Sequence, residues 1–121
     1  MIQEIIEWGS KNDVQLFIDG QEIAYVRIDR LRYAPSAWYV IELFVNLKYR
    51  QMGYAYKLFS FLRQEAKDAG IKELKLTACG DDDSISGDQL IEIYSNWGFE
   101  VDAGEYNKMT FLCTSYPGAD K

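Results

Sequence analysis

Eight consecutive residues, Trp38-Tyr39-Val40-Ile41-Glu42-Leu43-Phe44-Val45, hold a single charge and are otherwise aromatic or aliphatic. A β-rich run of this length is too short to read as a helix and predicts a central strand covered on both faces. The next segments narrow the fold. From about Gln51 to Ala69 the apolar residues recur at helical spacing, with Ala55, Leu58, Phe59, Leu62, Ala66 and Ala69 on one stripe. Lys57, Arg63, Gln64 and Lys67 make the wet side, and Gly70 supplies the stop. Glu73–Ala78 then alternates, with Leu74, Leu76 and Ala78 on one side. Strand, helix, strand in that order imply a right-handed crossover and a parallel pair.

The flanks read differently. Val14, Leu16 and Ile18 alternate with polar residues, Asp19-Gly20 makes a tight hairpin turn, and Gln21–Asp29 returns as a strand. Ile2–Trp8 fits a strand or a short helix, and Arg30–Ser36 reads as a connecting loop. After a loop over Gly80–Gly87, Ser86 and Gln89 have capping-box spacing. Leu90, Ile93, Tyr94 and Trp97 then form a helical stripe ended by Gly98. Phe99–Val101 and Tyr106–Cys113 close the chain as strands, and 117–121 as a loose tail. Strand-rich ends around a crossover predict a mixed α/β domain.

Composition removes several functions. With 121 residues the chain is one domain over 1–121. It has no histidine, which excludes the commonest general base, the Ser/His and Cys/His pairs and most zinc sites. Thirteen Lys+Arg against nineteen Asp+Glu give a net charge of −6, against nucleic acid or an anionic membrane surface as partner. No apolar run approaches the ~18 residues of a membrane span, and the polar start Ile2-Gln3-Glu4 is unlike a signal peptide. Cys79 and Cys113 lack CxxC spacing and read as two buried thiols in a reducing cytoplasm.

Between the central strand and the long helix lies Asn46-Leu47-Lys48-Tyr49-Arg50-Gln51-Met52-Gly53-Tyr54-Ala55. A loop entering a helix presents unpaired amides and the positive end of the dipole. Gly53 permits close approach of a ligand to the backbone, and Lys48 and Arg50 add positive charge. The residues themselves leave two readings open, a phosphate or pyrophosphate site and an ordinary turn with a solvated arginine.

Val45-x4-Arg50-x2-Gly53-x-Ala55, after an apolar strand and before an amphipathic helix, resembles the acetyl-CoA signature Arg/Gln-x-x-Gly-x-Gly/Ala of the GNAT acyltransferase superfamily. Ile93-Tyr94-Ser95-Asn96-Trp97-Gly98-Phe99 resembles the Tyr-x-x-x-Gly-Phe helix end of the same family. The likeness covers roughly 38–112. It implies a mixed, mostly antiparallel sheet of six or seven strands with a splayed central parallel pair and helices on both faces. It implies acetyl-CoA as cosubstrate, with no metal. Backbone groups of Leu43, Phe44 and Val45 would pair with the pantetheine arm. The amides of Arg50, Gln51, Met52, Gly53, Tyr54, Ala55 and Tyr56 would hold the pyrophosphate, and Tyr94 would protonate the departing thiolate.

Three departures bear on the acceptor. Relatives place two helices between their first two strands, whereas only about 9–13 separates them here. The acceptor site is therefore open, suited to a protein or peptide amine as well as a small one, or completed by the second subunit of a homodimer. The strand after the signature helix offers Leu76-Thr77-Ala78 and no acid, which leaves Glu42 as the candidate base. A lone acid in an apolar strand has a raised pKa and acts through water, unless it turns outward or pairs with an arginine. Gly87 stands where relatives carry an asparagine, and Asp81-Asp82-Asp83 reads as a solvated loop or a cation-attracting one. The expected activity is N-acetyl transfer by direct attack in a ternary complex. The alternatives are a catalytically degenerate CoA-binding or interaction module, and an acidic decoy for a basic protein.

Overall fold

A computed structural model describes residues 2–79 and 86–113. Seven strands form one sheet in the order β1-β2-β3-β4-β5-β7-β6. They are β1 (Glu4–Ser10), β2 (Asp13–Ile18), β3 (Gln21–Tyr33), β4 (Ala37–Val45), β5 (Glu73–Thr77), β6 (Glu100–Val101) and β7 (Lys108–Leu112). Helix α1 (Tyr54–Asp68) joins β4 to β5, and α2 (Gly87–Asn96) lies between β5 and β6. All pairings are antiparallel except β4 with β5. The undecided first segment is a strand. The segment expected as a loop at Arg30–Ser36 extends β3 to Tyr33, where Asp29 Oδ1 accepts from the amides of Leu31 and Arg32 and Tyr33 pairs with Ala37.

The register explains which side chains are buried. Val14 pairs with Val26, Val26 with Leu43, Val40 with Leu76 and Leu76 with Met109, so one face presents a continuous apolar surface. All of those residues except half-buried Val40 and Leu43 are fully buried. Helix α1 lays Leu58, Phe59, Leu62 and Ala66 on this face. Helix α2 packs Leu90, Ile91, Tyr94 and Trp97 against the same cluster, and Trp97 stacks on Phe59 with centroids 5.2 Å apart. Its N-terminus carries the expected capping box between Ser86 and Gln89. Gly98, at φ +110, is required here, because a Cβ would lie 2.9 Å from the Phe111 ring.

The expectation of helices on both faces is corrected: both lie on one. The turn between β1 and β2 is only Lys11-Asn12, so no helix from that connection covers the opposite side. β4 is accordingly not sandwiched, and Ile41 is 49% exposed and Phe44 38%. Two register shifts adjust the faces. Phe17 pairs with Glu22 and Leu16 with Ala24, so Ile23 is an extra residue and is buried beside Ala24. Arg27 pairs with Glu42 and Ile28 with Val40, which makes Ile41 the extra residue of a bulge in β4.

Candidate active site

The parallel ladder between β4 and β5 runs from Ala37 with Glu73 to Val40 with Leu76 and then stops, at the bulge. β4 continues to Val45 bonded only to β3, so the two strands part. The Asn46 amide donates to the Ile23 carbonyl at 2.7 Å. Antiparallel alternation then turns the amides and carbonyls of Phe44 and Glu42 toward β3, and those of Leu43 and Val45 toward the gap. The Val45 carbonyl accepts from Arg50 Nε at 2.8 Å. The Leu43 amide and carbonyl and the Val45 amide thus face the gap with no β5 strand opposite them.

One end of the gap is the turn into α1. Leu47–Tyr49 form a short 3-10 helix, capped by the Asn46 side chain, which accepts from the Lys48 amide. Gln51 and Gly53 follow with φ of 63° and 87°. Gly53 is the N-cap of α1 and offers no side-chain cap, and the first turn carries no acid. The leading amides of α1 therefore project outward uncapped at the positive end of a 15-residue helix. A Cβ built at Gly53 meets nothing within 4 Å, so the space above the turn is open. Met52 and Tyr56 are exposed, while Tyr54 packs edge-on against Tyr49. The open space over Gly53 thus leaves the leading amides of α1 accessible, an arrangement that can hold an anion.

The helix side of the gap is an apolar cleft lined by Val40, Leu43, Leu76, Tyr94, Trp97 and Phe99, among others. Tyr94 reaches it from α2, held edge-on by Trp97 at 5.2 Å and Phe99 at 5.7 Å. Burial pushes its hydroxyl up to about 12, so it stays a protonated donor at neutral pH.

The opposite face of the sheet carries polar groups. Glu42 accepts from Tyr25 Oη at 3.0 Å and from Arg27 Nη1 at 3.3 Å, and its side chain is 43% exposed. It is neither lone nor buried, because the bulge turns it away from the core. Farther along, the Tyr39 and Thr77 hydroxyls lie 2.8 Å apart. Sequence reasoning passed over Tyr25, Arg27, Tyr39 and Thr77. Only the register brings them together, and their positions on the non-core side of each strand were the available signal. Cys79 is exposed, contrary to expectation, since it lies past the end of β5; Cys113 is buried, and burial raises its thiol to about 11. The Asp81-Asp82-Asp83 segment and the tail lie outside the described residues. Among the described residues no three His, Cys, Asp or Glu side chains form a metal-ligating group, and no helix is long and apolar enough to cross a membrane.

The sequence profile of the acetyltransferase (GNAT) family matches residues 2–99. No curated protein matches the chain in sequence. Among solved structures it is similar to the PaiA N-acetyltransferase of Thermoplasma acidophilum in complex with coenzyme A, with TM-score 0.66 and 18% identity over 83% of this chain. The chain spans 59% of that protein. It is similar to an aminoglycoside 6′-N-acetyltransferase complexed with coenzyme A, with TM-score 0.63 and 15% identity, covering 87% of this chain and 74% of that one. It also resembles the anti-CRISPR protein AcrVA5, with TM-score 0.62 and 23% identity, covering 74% of this chain and 90% of that one. At these identities the structural likeness is one of fold.

Proposed function

The chain belongs to the acetyltransferase (GNAT) family, and on that premise we propose that it transfers an acetyl group from acetyl-CoA to an amine by direct attack in a ternary complex. The observation that carries the reading is the parting of β4 from β5, with an uncapped helix N-terminus at one end and the Tyr94 ring beside it. Acetyl-CoA, when bound, supplies the activated acyl group. The amides from Gln51 to Tyr56 hold its pyrophosphate, the Arg50 amide being bonded to the Leu47 carbonyl, and the gap-facing groups of Leu43 and Val45 bind the pantetheine arm as a missing strand would. Phe44, whose backbone is turned to Tyr25 on β3, borders the arm from the same strand. Tyr94, too weak an acid to lose its proton unaided, donates to the sulfur as negative charge develops there. Glu42 stands on the acceptor face as the carboxylate through which a proton leaves by way of water. Positioning and backbone hydrogen bonds supply most of the acceleration. The open face suits a protein or peptide amine as well as a small one. Two free thiols suit a reducing, cytoplasmic compartment.

A second reading, a CoA-binding or interaction module without catalysis, draws on the uncovered sheet face with Ile41, Phe44 and Leu112 exposed. Calorimetry with acetyl-CoA tests the shared part, and its failure removes transfer and the CoA-binding module alike, leaving an interaction module on the open face. Release of free CoA in the presence of a panel of small amines and lysine peptides separates them: turnover above hydrolysis supports transfer, and binding without turnover supports the module.

A further inference from the structure

Tyr39 lies on β4 opposite Lys75, and Thr77 is the last residue of β5, one position past the final rung of the parallel ladder. Their 2.8 Å hydroxyl contact therefore crosses from strand to strand at the point where the strands part. It does so on the face away from the helices, because the neighbours of Thr77 in sequence, Leu76 and Ala78, are both buried in the core. Tyr94 lines the same parting from the helix side, together with Val40 and Leu76. The parting thus has the Tyr94 ring on one face and a pair of hydroxyls on the other. An acyl group carried into the parting would have the Tyr39 and Thr77 hydroxyls on its far side.

The pair has a definite hydrogen-bonding capacity. One hydroxyl hydrogen is used in the mutual bond, which leaves one hydrogen and three lone pairs. It can accept an N–H from an amine and leave the nitrogen lone pair directed at the gap. The pair offers lone pairs without a negative charge, so the site suits the uncharged amine.

Resting on the acyl-transfer reading, we infer that the Tyr39–Thr77 hydroxyl pair receives the acceptor nitrogen and orients it on the thioester carbonyl. An arriving ammonium first gives one proton to water on the open face. The nitrogen then forms its bond to the carbonyl carbon as the carbon–sulfur bond breaks. The second nitrogen proton is lost, and one proton ends on the CoA sulfur. This pair occupies the place on β5 where the sequence offers no carboxylate.

The test needs no knowledge of the natural acceptor. Calorimetry compares CoA with a conjugate in which an acetyl bridge links the CoA sulfur to Nε of N-acetyl-lysine amide, so that a nitrogen stands where the acceptor would. The intact protein is expected to bind the conjugate about tenfold more tightly than CoA. Thr77→Val and Tyr39→Phe should each lose most of that gain, Thr77→Ser should restore it, and CoA affinity should be the same in all four proteins. Tyr39→Phe keeps the ring in place and so stays informative even where Thr77→Val is poorly folded. A conjugate that gains nothing in the intact protein, or keeps its gain in both variants, overturns the inference while leaving the acyl-transfer reading intact. Failure of CoA itself to bind overturns that reading instead.

Discussion

Gly53→Ala isolates the anion-binding role of the turn from its role in folding. Gly53 has φ +87 and a Cβ there meets nothing within 4 Å, so the substitution strains the backbone without a clash. Placing an L-residue in the left-handed region costs about 1–2 kcal/mol. The reduced freedom of the unfolded chain returns about 0.4–1 kcal/mol. The net loss is about 1 kcal/mol, or a drop in Tm of roughly 3–6 °C for a chain of this size. Gly20 is a matched control: φ is +85, nothing lies within 4 Å, and it sits in the β2–β3 hairpin. Gly20→Ala should cost the same stability by the same mechanism. The two must differ in ligand affinity. At Gly53 the new methyl occupies space through which a pyrophosphate oxygen approaches the α1 amides. Losing one charge-assisted hydrogen bond, at about 1.5–3 kcal/mol, weakens binding roughly 10–100-fold. Thermal melts and acetyl-CoA calorimetry on both variants decide the matter. Equal Tm shifts with unchanged affinity in Gly53→Ala would refute the placement of the pyrophosphate on this turn.

Tyr94→Phe should lower kcat by about 100-fold or more at unchanged acetyl-CoA affinity, measured by CoA release against calorimetry. Tyr94 also predicts an alkaline stability profile, because its hydroxyl titrates near 12 in the folded protein against 10.0 unfolded. As pH rises from 10 to 12 the unfolded chain gives up a proton that the native state keeps, so stability falls by about 2–3 kcal/mol. Urea denaturation at pH 9 and pH 12 should show that decline reduced in Tyr94→Phe. Glu42→Gln should slow turnover about tenfold or more without changing acetyl-CoA affinity if its carboxylate carries the outgoing proton; turnover equal to that of the unsubstituted protein removes it from the mechanism. Phe59→Ala should cost about 3–5 kcal/mol by denaturant titration, since this 4%-exposed ring touches Trp97, Phe99 and Phe111 and joins both helices to the sheet.

The elements themselves were legible wherever local chemistry decides them. Asp19-Gly20 announced the β2–β3 hairpin, Ser86 with Gln89 the start of α2, and Arg50-x-x-Gly53 the turn into α1. What the residues could not convey was which faces are covered. An apolar run such as Trp38–Val45 looks the same whether helices lie on both sides or on one, and Phe44 stacks on Tyr25 at 5.3 Å instead of on a helix. Period-two alternation also fails at a bulge, because the extra residue is defined by its partner strand. That is why the residues alone left Glu42 between a buried acid and an outward one paired with an arginine, and the register decides for the second. The Tyr39–Thr77 contact spans 38 residues and exists only through the parallel register, so no local motif announces it.

The bulge at Ile41 decides which face each later residue of β4 occupies. If β4 ran without interruption, strict alternation from Val40 would send Glu42 into the core and Leu43 and Val45 outward. With the extra residue the count is restored, so nine residues fill eight positions. Loss of Ile41 would leave every other side chain of β4 on its present face. Deletion of Ile41 is therefore expected to keep the core and let the β4–β5 ladder run on past Val40, with loss of acetyl-CoA binding by calorimetry as its readout.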